Sequence, residues 1–284
     1  MATEPSLYLV GTPIGNLEDI SLRALRILKE VDLIACEDTR QTAKLLSHYG
    51  IATRTISYHE HNELTRSAEL IMHLEQGKSI ALVTDAGMPG VSDPGFRLAS
   101  LAIRHRIPVV PIPGASAFLS ALVASGLPTD SFSFHGFLPA KLGQRRKMLE
   151  ELRPSTRTQI FYEAPHRLLG ALEDISEVMG ANRRVVVARE VTKLHEEFVR
   201  ATAAEVCEEF KRREEVRGEI TLLIGRAEET HGVPAVARKT ARSRVRELMK
   251  SEEIDEKEAM KRVAKEMGIS KSDVYRELQK DGKK

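Results

Sequence analysis

The sequence has no tryptophan, only two cysteines, and no apolar run approaching the ~18 residues that a membrane-spanning helix needs. Cys36 and Cys207 lie far apart and outside any C-x-x-C pair. That spacing offers neither a disulfide framework nor a structural zinc site, and it fits free thiols in a reducing cytosol. The opening MATEPSLYLVG has no basic stretch leading into a long apolar one, so no secretory signal is expected and the location expected is cytoplasmic. Aromatic residues are 5% of the chain, too few for an extended base-stacking platform. There is no G-x-x-x-x-G-K-[ST] phosphate loop, no H-E-x-x-H zinc helix and no G-x-S-x-G elbow, which sets aside three common enzyme chemistries.

The net charge of +2 says little, but its distribution is uneven. Residues 236–284 hold 15 Lys and Arg against 10 Asp and Glu, and the rest of the chain holds 28 against 31. A basic tail on a mildly acidic body points to a nucleic-acid partner.

Short apolar runs alternate with helix-spaced segments. LYLV (7–10), LIAC (33–36), IALV (80–83), PVVPI (108–112), QIFY (159–162), VVVA (185–188) and ITLLI (220–224) read as buried strands. Between the first two, Leu22, Leu25 and Leu28 suggest a helix capped by Asp19 or Ser21, and Leu70, Ile71 and Leu74 suggest another before Gly77. Alternation of this kind predicts an α/β class with largely parallel sheets. The stretch 125–143 is rich in Gly, Pro, Ser and Phe without a period, and a junction is placed near it. The domains expected are 1–120 and 121–230, both α/β, and 236–284, a small all-α unit. In that tail, 243–252, 256–268 and 270–280 read as three short helices. AKEMGISKSDVYREL has a helix-turn-helix form, with small Ala264 before a turn at Gly268, Ile269 as core anchor and Ser270 as cap. A solvated helical cap is the other reading of the tail.

Three glycine-bearing loops follow strands. VGTPIGN lets backbone approach a ligand, although a plain turn reads as well. TDAGMPGVSDPG has three glycines and two prolines in a short span, more than a simple connection needs, and it lies where open α/β sheets bind ligands. PGASA opens a helix with small side chains, which exposes its N-terminal amides or allows tight packing.

In this order and spacing the three loops resemble the tetrapyrrole (corrin/porphyrin) methylase superfamily. GTPIGNLEDIS, CEDTR, HEHN, TDAGMPGVSDPG, PIPGASA, GFLP, FYEAPHR and GEITLLIG resemble the branch that methylates a cytidine 2′-hydroxyl in 16S ribosomal RNA, over about residues 6–226. The resemblance implies two α/β domains of that type with the cofactor cleft between them, plus the helix-turn-helix-like tail. It implies S-adenosylmethionine as cofactor and no metal. The partner implied is 16S rRNA, free or within the small ribosomal subunit, and the chain is implied to be a homodimer. By position, the cofactor residues implied are Pro13, Gly87, Met88, Val91, Ala115, Ser116, Ala117, Tyr162 and Thr221. Where the superfamily usually has Gly-Gly-Asp-Pro, this chain has Ala86-Gly87-Met88-Pro89, so Met88 replaces the carboxylate.

A ribose hydroxyl is a poor nucleophile at neutral pH, so a general base is expected. Glu163, directly after a buried strand, is the first candidate, and His59 or His61 the next. Asp38, Arg40, Asn62, His166 and Arg167 complete the polar motifs as substrate-binding candidates, with Arg40 and Arg167 suited to gripping phosphate. Phe132, Phe134 and Phe137 read as core rather than as base-stacking groups. Two rival readings remain: a methylase of small tetrapyrroles or diphthamide precursors, which needs no basic tail, and a non-catalytic RNA-binding factor, against which the glycine loops argue.

Overall fold

A computed structural model of the chain describes residues 5–227, 245, 248–249, 254–267 and 274. The chain divides into two compact units, Met1–Ala227 and Glu228–Lys284.

The first unit contains two five-stranded sheets. Strands β1 (Leu7–Val10), β2 (Leu33–Cys36), β3 (Thr55–Ser57), β4 (Ile80–Val83) and β5 (Val109–Ile112) form the first, in the order β3-β2-β4-β1-β5. All its pairings are parallel. Successive side chains of a strand point to opposite faces, and both faces here are apolar. Tyr8, Val10, Ile34, Cys36, Ala81 and Val83 pack on helices α1 (Leu22–Glu30) and α2 (Thr39–His48). Leu7, Leu33, Ala35, Ile80 and Leu82 pack on α3 (Glu63–Glu75) and α4 (Phe96–Arg104). This double burial is why those strands read as continuous apolar runs.

Helix α1 settles one alternative and corrects one expectation. Its cap is Ser21, whose side chain accepts the Ala24 N–H at 3.1 Å. The buried stripe is Ala24, Ile27 and Leu28, and Leu22 is 86% exposed. Steps of i, i+3, i+6 drift about 120° around a helix of 3.6 residues per turn, so Leu22 and Leu28 do not share a face. In α3 the expected Leu70, Ile71 and Leu74 are buried, and Gly77 follows at φ +85°.

The second sheet uses β6 (Phe132–Phe137), β7 (Thr158–Glu163), β8 (Arg184–Arg189), β9 (Glu197–Thr202) and β10 (Ile220–Ile224), in the order β6-β7-β10-β8-β9. Only β6–β7 is parallel; β7–β10, β10–β8 and β8–β9 are antiparallel. The expectation of largely parallel sheets therefore holds for the first sheet and fails for the second. Strands β6 and β9 were not visible as apolar runs because they form the two edges, where polar residues such as Glu197 and Arg200 alternate with apolar ones. With β9 unseen, the β8–β9 hairpin was unseen too.

One face of this sheet packs on α6 (Leu142–Leu152), α7 (Pro165–Met179) and α8 (Ala203–Lys211) through Phe161, Leu222, Val185 and Val187. The other packs on α5 (Ala117–Ser125), through Ile160, Leu223, Val186 and Ala188 against Ala121 and Leu122. Helix α5 thus starts in the loop after the first sheet and covers the second.

In the tail, Glu256–Met267 is helical, within the span expected. Ala259, Met260, Val263 and Ala264 share a core with Val245, Leu248 and Val274. The expected turn at Gly268, Ile269 and Ser270, and most of the flanking helices, lie outside the described residues. Among the described residues no helix is long and apolar enough to cross a membrane.

Helices α6 and α7 are also joined by charge. Asp174, 2% exposed, accepts from Arg145 Nε at 2.6 Å and from Arg146 Nε at 2.7 Å. Removing one side of such a buried group leaves uncompensated charge, which costs about 3–5 kcal/mol. Asp174→Ala is therefore expected to lower the unfolding free energy by about that amount in a urea titration. A loss below ~1 kcal/mol would show that Arg145 finds water instead.

Candidate active site

The strand order decides what meets at the carboxyl edge of the first sheet. β4, β1 and β5 are neighbours, so the loops that follow them emerge side by side. The first two pair directly: Thr12 N–H donates to Gly87 O at 2.9 Å, and Gly87 N–H to Thr12 O at 3.1 Å. The first and third touch backbone to backbone. A Cβ on Gly11 would lie 2.7 Å from Gly114 Cα, and one on Gly114 would lie 2.7 Å from the Gly11 carbonyl carbon. No side chain fits there.

The second loop folds back on itself. Gly90 N–H donates to Pro94 O at 3.2 Å, with Gly87 and Gly90 at φ +79° and +82°. Ser92 also takes a left-handed φ of +63°, a strained conformation for a residue with a side chain.

These loops border a cavity of about 650 Å³, within the range typical of small-molecule sites. Ile14, Gly87, Met88, Val91 and Asp93 supply one side of it. Gly114, Ser116 and Ala117 lead into α5, and Phe137, Tyr162 and Thr221 come from the second sheet. Tyr162 and Thr221 are register partners across β7–β10, which places them on one face of that sheet. Tyr162 lies edge-on to Phe134 and Phe137, at 5.0 and 5.8 Å between ring centres. Its hydroxyl is pushed up to about 12 by burial and by the nearby Asp93 carboxylate.

Of the cofactor residues expected, Gly87, Met88, Val91, Ser116, Ala117, Tyr162 and Thr221 border this cavity. Pro13 does not; its neighbour Ile14 does. Ala115 borders an adjoining hollow that shares Ile14, Gly114 and Val191.

The polar candidates are less united. Glu163 stands at the cavity rim, but the pleat turns its side chain toward the α7 layer, opposite to Tyr162. Its side chain is 0% exposed. It accepts the Ala164 N–H at 2.8 Å and pairs with Arg167 Nε at 3.2 Å. Burial raises its pKa, against the pull of the Ala164 amide and Arg167. Arg167 also donates to Leu138 O. Its guanidinium is thus engaged within the fold. His166, in the first turn of α7, is exposed and off the cavity wall.

Asn62 holds the turn before α3, accepting His59 N–H at 2.9 Å and donating to Ser57 O at 3.3 Å. The rings of His59 and His61 are 5.9 Å apart, and neither residue borders the cavity. Asp38 caps α2, accepting Arg40 N–H at 2.8 Å, and it pairs with the 88%-exposed Arg40 side chain. That pairing holds the Asp38 carboxyl down at about 2.

Sequence reading missed two carboxylates. Asp85 and Asp93 stand in TDAGMPGVSDPG, where the glycines drew notice and the acids did not. Asp85 accepts Asp38 N–H at 3.1 Å. Burial, and then the neighbouring Asp85 charge, raise the pKa of Glu37. Burial, and then Glu37, push Asp93 up to about 6. The signal for them was available: both acids follow β4, at the edge where the ligand loops gather.

The chain matches the Tetrapyrrole (Corrin/Porphyrin) Methylases over residues 6–207. It is 49% identical over 271 residues to a protein of Halalkalibacterium halodurans named ribosomal RNA small subunit methyltransferase I, covering 95% of this chain and 93% of the relative. It is 43% identical over 276 residues to a protein of the same name in Escherichia coli O157:H7, covering 96% and 94%. Among solved structures, it resembles uroporphyrin-III-C-methyltransferase from Thermus thermophilus, with a TM-score of 0.56 at 21% identity, over 80% of this chain and 97% of that one. It also resembles diphthine synthase, with a TM-score of 0.59 at 15% identity, over 77% and 89%. The three converging loops and these matches lead to one conclusion: the chain belongs to the tetrapyrrole methylase family.

Proposed function

We propose that this protein is a cytoplasmic methyltransferase that uses S-adenosylmethionine to methylate the 2′-hydroxyl of a cytidine ribose in 16S ribosomal RNA, working as a homodimer and without a metal. The observation that carries this is the near-full-length identity to relatives bearing the small-subunit rRNA methyltransferase name, which extends into the basic tail.

The cavity suits the cofactor on its own terms. Gly87 and Gly114 bring backbone to its wall. Met88, Val91 and Ile14 give an apolar bed. When bound, S-adenosylmethionine supplies an electrophilic sulfonium methyl. Gly87, Met88 and Val91 would hold it from one side, Ser116 and Ala117 from the α5 end, and Tyr162 and Thr221 from the second sheet. Closing the acceptor into the same hollow fixes the reacting atoms and keeps water out. Arg40, with its exposed guanidinium, and His166 are the candidates for contacting RNA outside the cavity. Asp38 holds Arg40 in place. The tail adds positive charge for backbone phosphate.

Calorimetry is expected to show saturable S-adenosylmethionine binding with no metal added. Gly114→Ala is expected to weaken it at least about tenfold, because the added methyl drives the first and third loops apart. Unchanged affinity in that variant would mean the Gly11–Gly114 contact does not shape the pocket.

Ribose methylation mapped by mass spectrometry in 16S rRNA is expected to lose one cytidine 2′-O-methyl in cells lacking this chain. An unaltered methylation map would refute the assignment. Deleting residues 236–284 should weaken rRNA affinity and flatten its salt dependence while cofactor binding stays intact. Equal RNA binding by the truncated chain would give the tail another role.

A further inference from the structure

We infer that Asp93 is the general base of the methyl transfer, taking the proton from the ribose 2′-hydroxyl. This rests on the proposed function and deepens it by naming the group that activates the acceptor.

Among the described residues, three carboxylates border the cavity: Asp93, Glu163 and Glu219. Two are committed elsewhere. Glu163 is sealed against Arg167 and the Ala164 amide on the far face of its sheet. Glu219 is a 75%-exposed partner of Lys193 at 3.1 Å. Asp93 is half-buried on the wall itself.

Its loop is built to hold it. The Gly90 N–H to Pro94 O bond closes the turn around it. Ser92 spends backbone strain one residue before it. Pro94 after it steers the Asp93 backbone away from the helical region. A plain connection gains nothing from that combination, whereas a wall that must present one carboxylate does.

The groups facing Asp93 come from three other elements. Glu37 follows β2, Asp85 and the Thr84 side chain follow β4, and Tyr162 lies on β7. The Thr84 hydroxyl favours the charged form, and the nearby charges are acidic. Burial first, then Glu37 and Asp85, raise its pKa to about 6. A base with that pKa is ionised at neutral pH and still accepts a proton readily, the compromise that general-base catalysis favours.

The step balances without further reagents. The 2′-oxygen forms a bond to the methyl carbon. The carbon–sulfur bond breaks, and its electron pair stays on sulfur, which becomes a neutral thioether. The hydroxyl proton passes to a carboxylate oxygen of Asp93 and then to solvent.

The test compares wild type with Asp93→Asn, using S-adenosylmethionine alone for binding and small-subunit rRNA for turnover. Wild-type kcat is expected to fall as pH drops below about 6, because the base must be ionised. In Asp93→Asn that acid limb disappears and kcat falls by about 10²–10⁴, with KM for RNA and cofactor affinity retained. Glu163→Gln is expected to keep the acid limb. A second readout needs no turnover. The folded-state pKa lies above the ordinary carboxylate value of 3.8, so the native state loses stability between about pH 4 and pH 6, and the loss is complete above that. The Tm of Asp93→Asn should therefore exceed that of wild type above pH 6, and the gap should close below about pH 4.

Near-normal kcat with the acid limb intact in Asp93→Asn would overturn the assignment. So would loss of cofactor binding, which would make Asp93 a cofactor ligand, or a variant Tm lower than wild type at neutral pH. If wild type binds S-adenosylmethionine but methylates no rRNA, the proposed substrate fails, and the Tm comparison still judges the Asp93 environment.

Discussion

The contact between Gly11 and Gly114 is the constraint on which the site depends. Two peptide backbones, one after β1 and one after β5, approach until neither can carry a Cβ. The Thr12–Gly87 bonds tie a third backbone to the same spot. Strand order makes this possible, since β4, β1 and β5 are adjacent and parallel, so their ends open on one edge. Main chain at Gly87 and Gly114 then joins the side chains of Ile14, Met88 and Val91 in bordering the hollow. The loop after β5 becomes the first turn of α5, which lies on the second sheet. One stretch of chain thus closes the first sheet's edge and brings Tyr162 and Thr221 opposite it.

How much of this could be read from residues follows from burial. Seven strands are visible as apolar runs: six lie inside their sheets with both faces covered, and β5, although an edge, keeps the apolar run VVPI. β3, β6 and β9 are not, because these edge strands carry mixed residues. The loops were legible through glycine, whose excess in TDAGMPGVSDPG has no purpose in a simple turn. Antiparallel pairing in the second sheet was illegible for a different reason: nothing in an apolar run states its direction, and the hairpin that would have revealed it contains an edge strand. The α1 face was misread because leucine is conspicuous. The helix buries Ala24 and Ile27 and leaves Leu22 in solvent.

Among the polar residues the limits were geometric. Glu163 was attractive as the carboxylate after a buried strand, and it is buried. Period-two alternation, however, sends it to the face opposite Tyr162, where Arg167 and an amide already satisfy it. Sequence gives proximity along a strand but not the face, unless the inward set is known beforehand. His59 and Asn62 belong to one turn whose hydrogen bonds are mutual, although His59 Nδ1 is buried without a partner among the described residues. The glycines and prolines around Asp93 mark a ligand loop but do not say which side chain it presents. The structure shows that loop closed on itself, strained at Ser92, with Asp93 on the cavity wall.

The electrostatics divide between the two ends of the chain. Glu37, Asp38, Asp85 and Asp93 gather along the ends of β2 and β4, and among the described residues Asp38 alone of the four is ion-paired, with Arg40. An edge so acidic repels phosphate and attracts a cation, so it suits a sulfonium and opposes an RNA backbone. On the proposed function, the force that holds RNA must then come from outside that edge. The body carries an excess of acid and the tail an excess of Lys and Arg, which is the arrangement that requirement predicts. A chain with the same cavity and no basic tail would lack that attraction, and its acceptor would have to be a small molecule able to enter the hollow without bringing a phosphate backbone to its rim.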